Sequence, residues 1–176
     1  PQPRVRYAAS GTVRSLGLGP QPRGRSEDKG SGSNDGVGRQ RRAVVRRELA
    51  ALDGGEDAVL FSSGMAAIVV LLMSRLSSGD EVVFFDECYH RSREFCSTHL
   101  SRFGVVTRQV KACDYAAMVE AITPATRMLV SESPTNPHLS VVDLSTFAAL
   151  GKKHGVETLI DATLATPFNA RPLEHG

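Results

Sequence analysis

The chain has 176 residues, of which 41% are hydrophobic and 23% charged, with a formal net charge of +2. This length suits one domain with a packed core, at the usual ~100–200 residues per domain, and the composition is that of an ordinary globular protein. No apolar run approaches the ~20 residues that a membrane-spanning helix needs, and the N-terminus carries no short apolar core with a small-residue cleavage site, so neither membrane insertion nor secretion is expected.

The charge is unevenly spread: residues 1–47 hold 11 Lys and Arg against 3 Asp and Glu, whereas residues 48–176 hold 10 against 16. A basic stretch can meet nucleic acid, but this one has a single aromatic, Tyr7, and no nucleic-acid-binding module. A solvated basic tail is expected, with no nucleic-acid and no membrane partner. The cysteines are Cys88, Cys96 and Cys113, odd in number and without C-x-x-C spacing. They predict no disulfide framework and no metal site, and they fit a reducing, cytoplasmic setting.

Residues 1–38 are rich in Gly, Ser, Arg and Pro, lack apolar periodicity and read as a disordered basic tail. Val44, Val45, Leu49 and Leu52 then recur at helical spacing until Asp53-Gly54-Gly55 stops the helix. A strand is predicted near 57–61 and a helix over 65–76. After the turn Ser77-Ser78-Gly79-Asp80 come a strand over 81–85, a helix over 91–102 and a strand over 105–110. Asp114 caps a helix reaching Ile122. A strand follows over 127–130, then a helix over 143–154 capped by Asp143 and closed by Gly155, and a strand over 157–160 ending at Asp161. Short strands alternating with longer helices predict an α/β fold, a mostly parallel sheet with helices on both faces.

In such sheets ligands bind beyond the carboxyl ends of the strands. The polar residues at those ends are Ser62 to Met65, Asp86 to His90, Glu132 to Asn136 and Asp161 to Thr163. Ser62-Ser63-Gly64 at a helix start presents free backbone N–H groups and a positive dipole end, which suit a phosphate; the same residues also suit plain N-capping. Asn136 lies in Glu132-Ser133-Pro134-Thr135-Asn136-Pro137, where two prolines stiffen the loop. Its amide can donate to a carboxylate or phenolate, or it can merely structure the turn before Pro137. Asp161, at the mouth of an apolar sheet, needs a partner such as a protonated ring nitrogen, unless it caps the next turn. Tyr89 can stack on a flat heterocycle and move protons, or simply pack. A phosphate cradle, a carboxylate for a ring nitrogen, an aromatic cover and an amide together suit pyridoxal 5′-phosphate (PLP), whose ring acts as an electron sink. A dinucleotide-binding fold would require G-x-G-x-x-G after the first strand, which this stretch lacks.

The segments Leu49 to Glu56, Phe61-Ser62-Ser63-Gly64-Met65-Ala66-Ala67-Ile68, Gly79-Asp80, Cys88-Tyr89, Glu132 to Pro137, Asp143-Leu144 and Asp161 to Pro167 occur in order over residues 43–176. They resemble the Cys/Met-metabolism family of PLP enzymes, the group of cystathionine γ-synthase, the cystathionine lyases and methionine γ-lyase. The wording from Asp86 to Phe95 looks nearest to the cystathionine γ-synthases. The resemblance implies a fold-type-I PLP-dependent transferase large domain in three layers, of which residues 39–176 would be the first part. It implies that Ser63, Gly64 and Met65 hold the cofactor phosphate, and that Tyr89 stacks on the ring and acts catalytically in proton transfer. Asp161 would pair with the ring nitrogen, Thr163 would support the cofactor, and Asn136 would bind near the ring hydroxyl and the substrate carboxylate. It further implies γ-replacement, in which an O-acylhomoserine and cysteine give cystathionine in methionine biosynthesis, by a homo-oligomer built as a dimer of dimers.

The chain also departs from the family's pattern. Family members attach the cofactor aldehyde to a lysine in a Ser-x-x-Lys stretch beyond the Asp161 motif, and the arginine for the substrate carboxylate lies later still. The four lysines here are Lys29, Lys111, Lys152 and Lys153, all in settings that read as solvated surface. The upstream Tyr-x-Arg and Gly-Asn-Pro-Thr, which reach a neighbouring subunit's phosphate, are replaced by Gly36-Val37-Gly38-Arg39-Gln40-Arg41-Arg42. A fragment or processed chain, catalytically inactive by itself and poorly stable alone, is therefore expected. The alternatives to a synthase are a lyase of the same family and a non-enzymatic remnant or interaction module.

Overall fold

The computed structural model describes residues 6–9 and 34–176. Five strands form one sheet: β1 (Arg6–Ala9), β2 (Glu81–Phe85), β3 (Val106–Val110), β4 (Thr126–Glu132) and β5 (Glu157–Asp161). Their order is β1-β5-β4-β2-β3 and every pairing is parallel. The connecting helices are α1 (Asn34–Leu52), α2 (Gly64–Arg75), α3 (His90–Glu94), α4 (Tyr115–Ala121), α5 (Leu144–His154) and the short α6 (Thr166–Asn169).

The period of two along the strands builds the three layers. Val82 and Phe84 of β2, Met128 and Val130 of β4 and Leu159 of β5 join Ala67, Ile68, Leu71 and Leu72 of α2 in one core. Their alternates Val83, Phe85, Leu129 and Ile160 join Met118 of α4 and Phe147 of α5 in the other. All of β2 is buried because both faces are covered, while β3 at the edge is largely exposed. Fully buried Phe84, Phe85 and Phe147 each contribute roughly 1.5–3 kcal/mol by leaving water. Gly151 lets α5 come close to β5, since a Cβ there would lie 2.4 Å from Thr158 Cγ2 and 2.8 Å from the Val156 carbonyl oxygen.

The predicted caps hold. Asp143 Oδ1 accepts from the Thr146 N–H at 3.0 Å and Gly155 ends α5 at φ 71°; Asp114 Oδ1 accepts from the Ala117 N–H at 2.9 Å. Other expectations are corrected. Residues 57–61 are not a strand; only Val59 makes an isolated bridge. Their backbone is tied to side chains instead: Asp57 Oδ1 accepts from the Ala58 N–H at 2.8 Å, and Arg46 Nε donates to the Ala58 carbonyl at 2.6 Å. The single helix expected over 91–102 is α3 followed by a π-helical turn (Phe95–His99) and a 3-10 turn (Leu100–Phe103). Hydroxyls compete for its carbonyls, with Ser97 on Arg93 and Thr107 on Cys96, each at 2.8 Å. Within the segment expected to be disordered, 6–9 is a strand beside β5 and 34–38 belongs to α1; the rest of that expectation lies outside the described residues.

Candidate active site

The carboxyl ends of the strands open into a cleft of about 380 Å³. All seven residues predicted for the site line it: Ser63, Gly64, Met65, Tyr89, Asn136, Asp161 and Thr163. They converge because the parallel pairing puts the ends of β2, β4 and β5 side by side, while α2 starts above the same edge.

At the start of α2, capping and an anion cradle coexist. Ser63 Oγ accepts from the Ala66 N–H at 3.1 Å and its carbonyl accepts from the Ala67 N–H at 3.1 Å. The N–H groups of Gly64 and Met65 have no partner among the described residues, as expected in the first turn of a helix. A Cβ on Gly64 would meet nothing within 4 Å, so the space beside this residue is open. Ser92 Oγ lies 3.6 Å from Met65 Sδ and ties α2 to α3.

Asp161 forms the opposite pole. Its Oδ1 accepts from the Thr163 N–H at 3.0 Å and from the Thr163 hydroxyl at 2.5 Å. Thr163 therefore holds one carboxylate oxygen, and the other has no partner among the described residues. Burial raises the carboxyl above its ordinary pKa, and the Thr163 donors oppose that rise. A cation in the cleft would favour the charged form further.

Tyr89 precedes α3, half-buried, with its ring 4.8 Å from that of His90 in an edge-on contact. Its backbone N–H donates to Glu132 Oε2 at 2.7 Å. Asn136 sits in a loop that Glu87 braces, since Glu87 Oε2 accepts from the Thr135 hydroxyl at 2.9 Å and the Ser140 hydroxyl at 3.0 Å.

Three lining residues went unassigned in the sequence reading: Glu132, Ile68 and Leu164. Glu132 is buried at 3% exposure and faces Asp161 across the β4–β5 register. Burial, then the charge of Asp161, push its carboxyl up to about 7 against the N–H groups of Tyr89 and Asn136. The available signal was a carboxylate closing an otherwise apolar strand, the same signal that singled out Asp161. Cys88 is buried, and burial pushes its thiol up to about 12, away from the reactive thiolate. No lysine among the described residues lines the cleft.

The residues fit PLP. One end of the cleft offers unpaired N–H groups at a helix start for a phosphate, and the other a carboxylate with one oxygen left over for a cationic ring nitrogen. Gly64, Met65 and Ser63 would hold the phosphate, Asp161 and Thr163 the ring nitrogen, and Tyr89 the ring face.

Comparison with known proteins agrees. A model of the Cys/Met metabolism PLP-dependent enzymes matches residues 36–176. The chain is 38% identical over 133 residues to the L-methionine γ-lyase of Pseudomonas putida, covering 76% of this chain and 33% of that one. It is also 38% identical over 140 residues to the cystathionine γ-synthase of Mycobacterium tuberculosis, covering 80% and 36%. Among solved structures, a Campylobacter jejuni protein described as an O-acetylhomoserine (thiol)-lyase, with an N′-pyridoxyl-lysine-5′-monophosphate, superposes with a TM-score of 0.74 at 31% identity over 76% of this chain and 33% of that one. The cystathionine γ-lyase of Lactobacillus plantarum complexed with L-serine gives 0.74 at 34%, over 77% and 35%. The chain thus spans about a third of the length of the relatives it matches. It belongs to the Cys/Met metabolism family of PLP-dependent enzymes.

Proposed function

We propose that the chain is the cofactor-binding part of a trans-sulfuration enzyme of the cystathionine γ-synthase type, joining an O-acylhomoserine and cysteine into cystathionine by γ-replacement. The observation that carries this reading is the pairing in one cleft of the α2 start with an Asp161 carboxylate held by Thr163. The stretch Asp86 to Phe95 supports the synthase over other members, and the chain is 38% identical to a cystathionine γ-synthase. The equal identity to a methionine γ-lyase supports a lyase as the second reading.

Bound PLP supplies an electron sink for negative charge developing on an amino-acid substrate. The chain's own residues do the rest. The Gly64 and Met65 N–H groups bind the phosphate, and Asp161 keeps a proton on the ring nitrogen. Tyr89 covers the ring and excludes water from one face, and its hydroxyl moves protons. The Asn136 amide orients the substrate carboxylate.

The test titrates the chain with PLP by absorbance and then supplies O-succinylhomoserine and cysteine. Binding that Asp161→Asn abolishes is expected, and equal binding by that variant overturns the assignment. Cystathionine among the products marks a synthase; ammonia with a 2-oxo acid marks a lyase. Binding without turnover marks a non-catalytic cofactor binder, the reading that a cleft without a lysine among the described residues supports.

A further inference from the structure

We propose that Glu132 is a positioning residue of this cleft: its buried carboxylate, at the root of the loop that carries Asn136, holds the main chain of Tyr89 and so sets the aromatic cover against Asp161. The inference rests on the cofactor reading above and assigns a job to the one ionisable group of the cleft which that reading leaves idle.

The geometry is specific. Glu132 ends β4 between two neighbours, with Tyr89 after β2 on one side and Asp161 at the end of β5 on the other. Its Oε2 accepts from the Tyr89 N–H at 2.7 Å, and the Asn136 N–H also favours its charged form. Tyr89 starts a short helix whose first N–H groups lack intrahelical partners, so the carboxylate supplies the acceptor that main chain needs. Glu87 repeats the device in reverse, leaving the β2 loop to accept from Thr135 and Ser140 in the β4 loop. The two loops are thus cross-braced by two carboxylates. Only Glu132 reaches the cleft itself.

A second carboxylate beside Asp161 carries an electrostatic cost if both are charged. The other ionisable groups around it are Asp161 on β5, Cys88 and Tyr89 on the β2–α3 loop, and Arg93 of α3, whose charge reaches Cys88. Burial and Asp161 hold the Glu132 carboxyl near neutrality. Glu132 can therefore yield its charge while Asp161 keeps its own for the ring. A neutral Glu132 still accepts from Tyr89, because a protonated carboxyl retains acceptor oxygen.

The experiment compares the chain with Glu132→Gln, Glu132→Asp and Glu132→Ala. Pyridoxamine 5′-phosphate is the probe, because it needs no lysine. Gln keeps an acceptor and removes the charge, so it should hold the probe within about threefold of the unmodified chain and keep the circular-dichroism band of the bound ring. Ala should bind about tenfold more weakly, because the Tyr89 N–H loses its buried acceptor, with that band diminished. Asp, too short to reach, should resemble Ala. Equal binding and an equal band in Ala overturn the proposal. Amide NMR without the probe decides the same point independently of the cofactor. The Tyr89 and Asn136 amide signals should titrate through neutral pH in the unmodified chain and stop doing so in Glu132→Gln. Unchanged titration in Gln overturns the role of Glu132 even where Ala fails to fold. Failure of the unmodified chain to bind the probe, with the NMR result as expected, overturns the cofactor reading and leaves the positioning role standing.

Discussion

Thr163→Val tests how the cleft prepares Asp161. The substitution keeps the shape of the side chain and removes only the hydroxyl that donates to Asp161 Oδ1 at 2.5 Å; the backbone N–H at 3.0 Å stays. A hydrogen bond to a charged acceptor contributes about 1.5–3 kcal/mol when dry. Thr163 is exposed, so water can replace part of the lost donor, and ~1–1.5 kcal/mol is the net loss expected. That corresponds to about tenfold weaker binding of a ligand whose cationic ring needs a charged Asp161. The loss should grow as pH falls, because Asp161, already raised by burial, gains a proton more readily without the hydroxyl. The assay is a fluorescence titration with pyridoxamine 5′-phosphate across pH, with urea unfolding as the control. Stability should change by less than about 0.5 kcal/mol, as at other surface sites, and Thr163→Ser should restore binding. Equal affinity of the Val variant at every pH refutes the claim that Thr163 works through Asp161.

Gly151→Ala should destabilise the chain by roughly 1–3 kcal/mol, since its Cβ would strike Thr158 Cγ2 and the Val156 carbonyl; the urea midpoint checks this, and Gly155→Ala, where a Cβ meets nothing but φ is 71°, separates crowding from backbone strain. Glu81 is held at about 2, below its ordinary 4.5, by Arg108, with Nε and Nη2 donating at 2.9 and 2.8 Å, and by the Thr123 hydroxyl at 2.8 Å. A folded-state value below the unfolded one stabilises above the unfolded value and is lost as pH falls toward the folded one. The stability gap between the unmodified chain and Glu81→Gln should therefore be full at neutral pH and close between about 4.5 and 2; a gap that stays constant over that range contradicts the assignment. Ser63→Ala should lower helix stability by about 1 kcal/mol through loss of the cap, read by thermal melting, while probe binding falls little, because the unpaired donors are the Gly64 and Met65 main chain. Phe168→Ser should shift sedimentation toward the monomer if this exposed ring belongs to a self-association face.

Most of the α/β architecture was legible because its signals are local. The short apolar runs in 81–85 and 127–130 are what strands covered on both faces must show, and Asp114, Asp143 and Gly155 mark helix ends by their own hydrogen-bonding and φ preferences. The site residues were legible for a related reason: polar groups closing apolar strands have few uses other than a ligand or a cap. Two of the failures share one cause. Residues 57–61 have the apolar composition of a strand, but Arg46 and Asp57 satisfy their backbone from twelve and fewer positions away. Arg6–Ala9 sits in a segment of tail-like composition, yet it pairs with β5 some 150 residues later. Neither pairing leaves a trace in a local window.

The sequence by itself determined the alternation of elements, the caps, the family and seven of the residues that line the cleft, because each depends on residue type and near-neighbour spacing. Only the tertiary structure decided which strand ends are neighbours. That order sets Glu132 between Tyr89 and Asp161, puts the Thr163 hydroxyl on the Asp161 carboxylate, and turns α2 toward both. Distances between groups far apart in the chain follow from long-range strand pairing, whose energy is shared across the whole sheet.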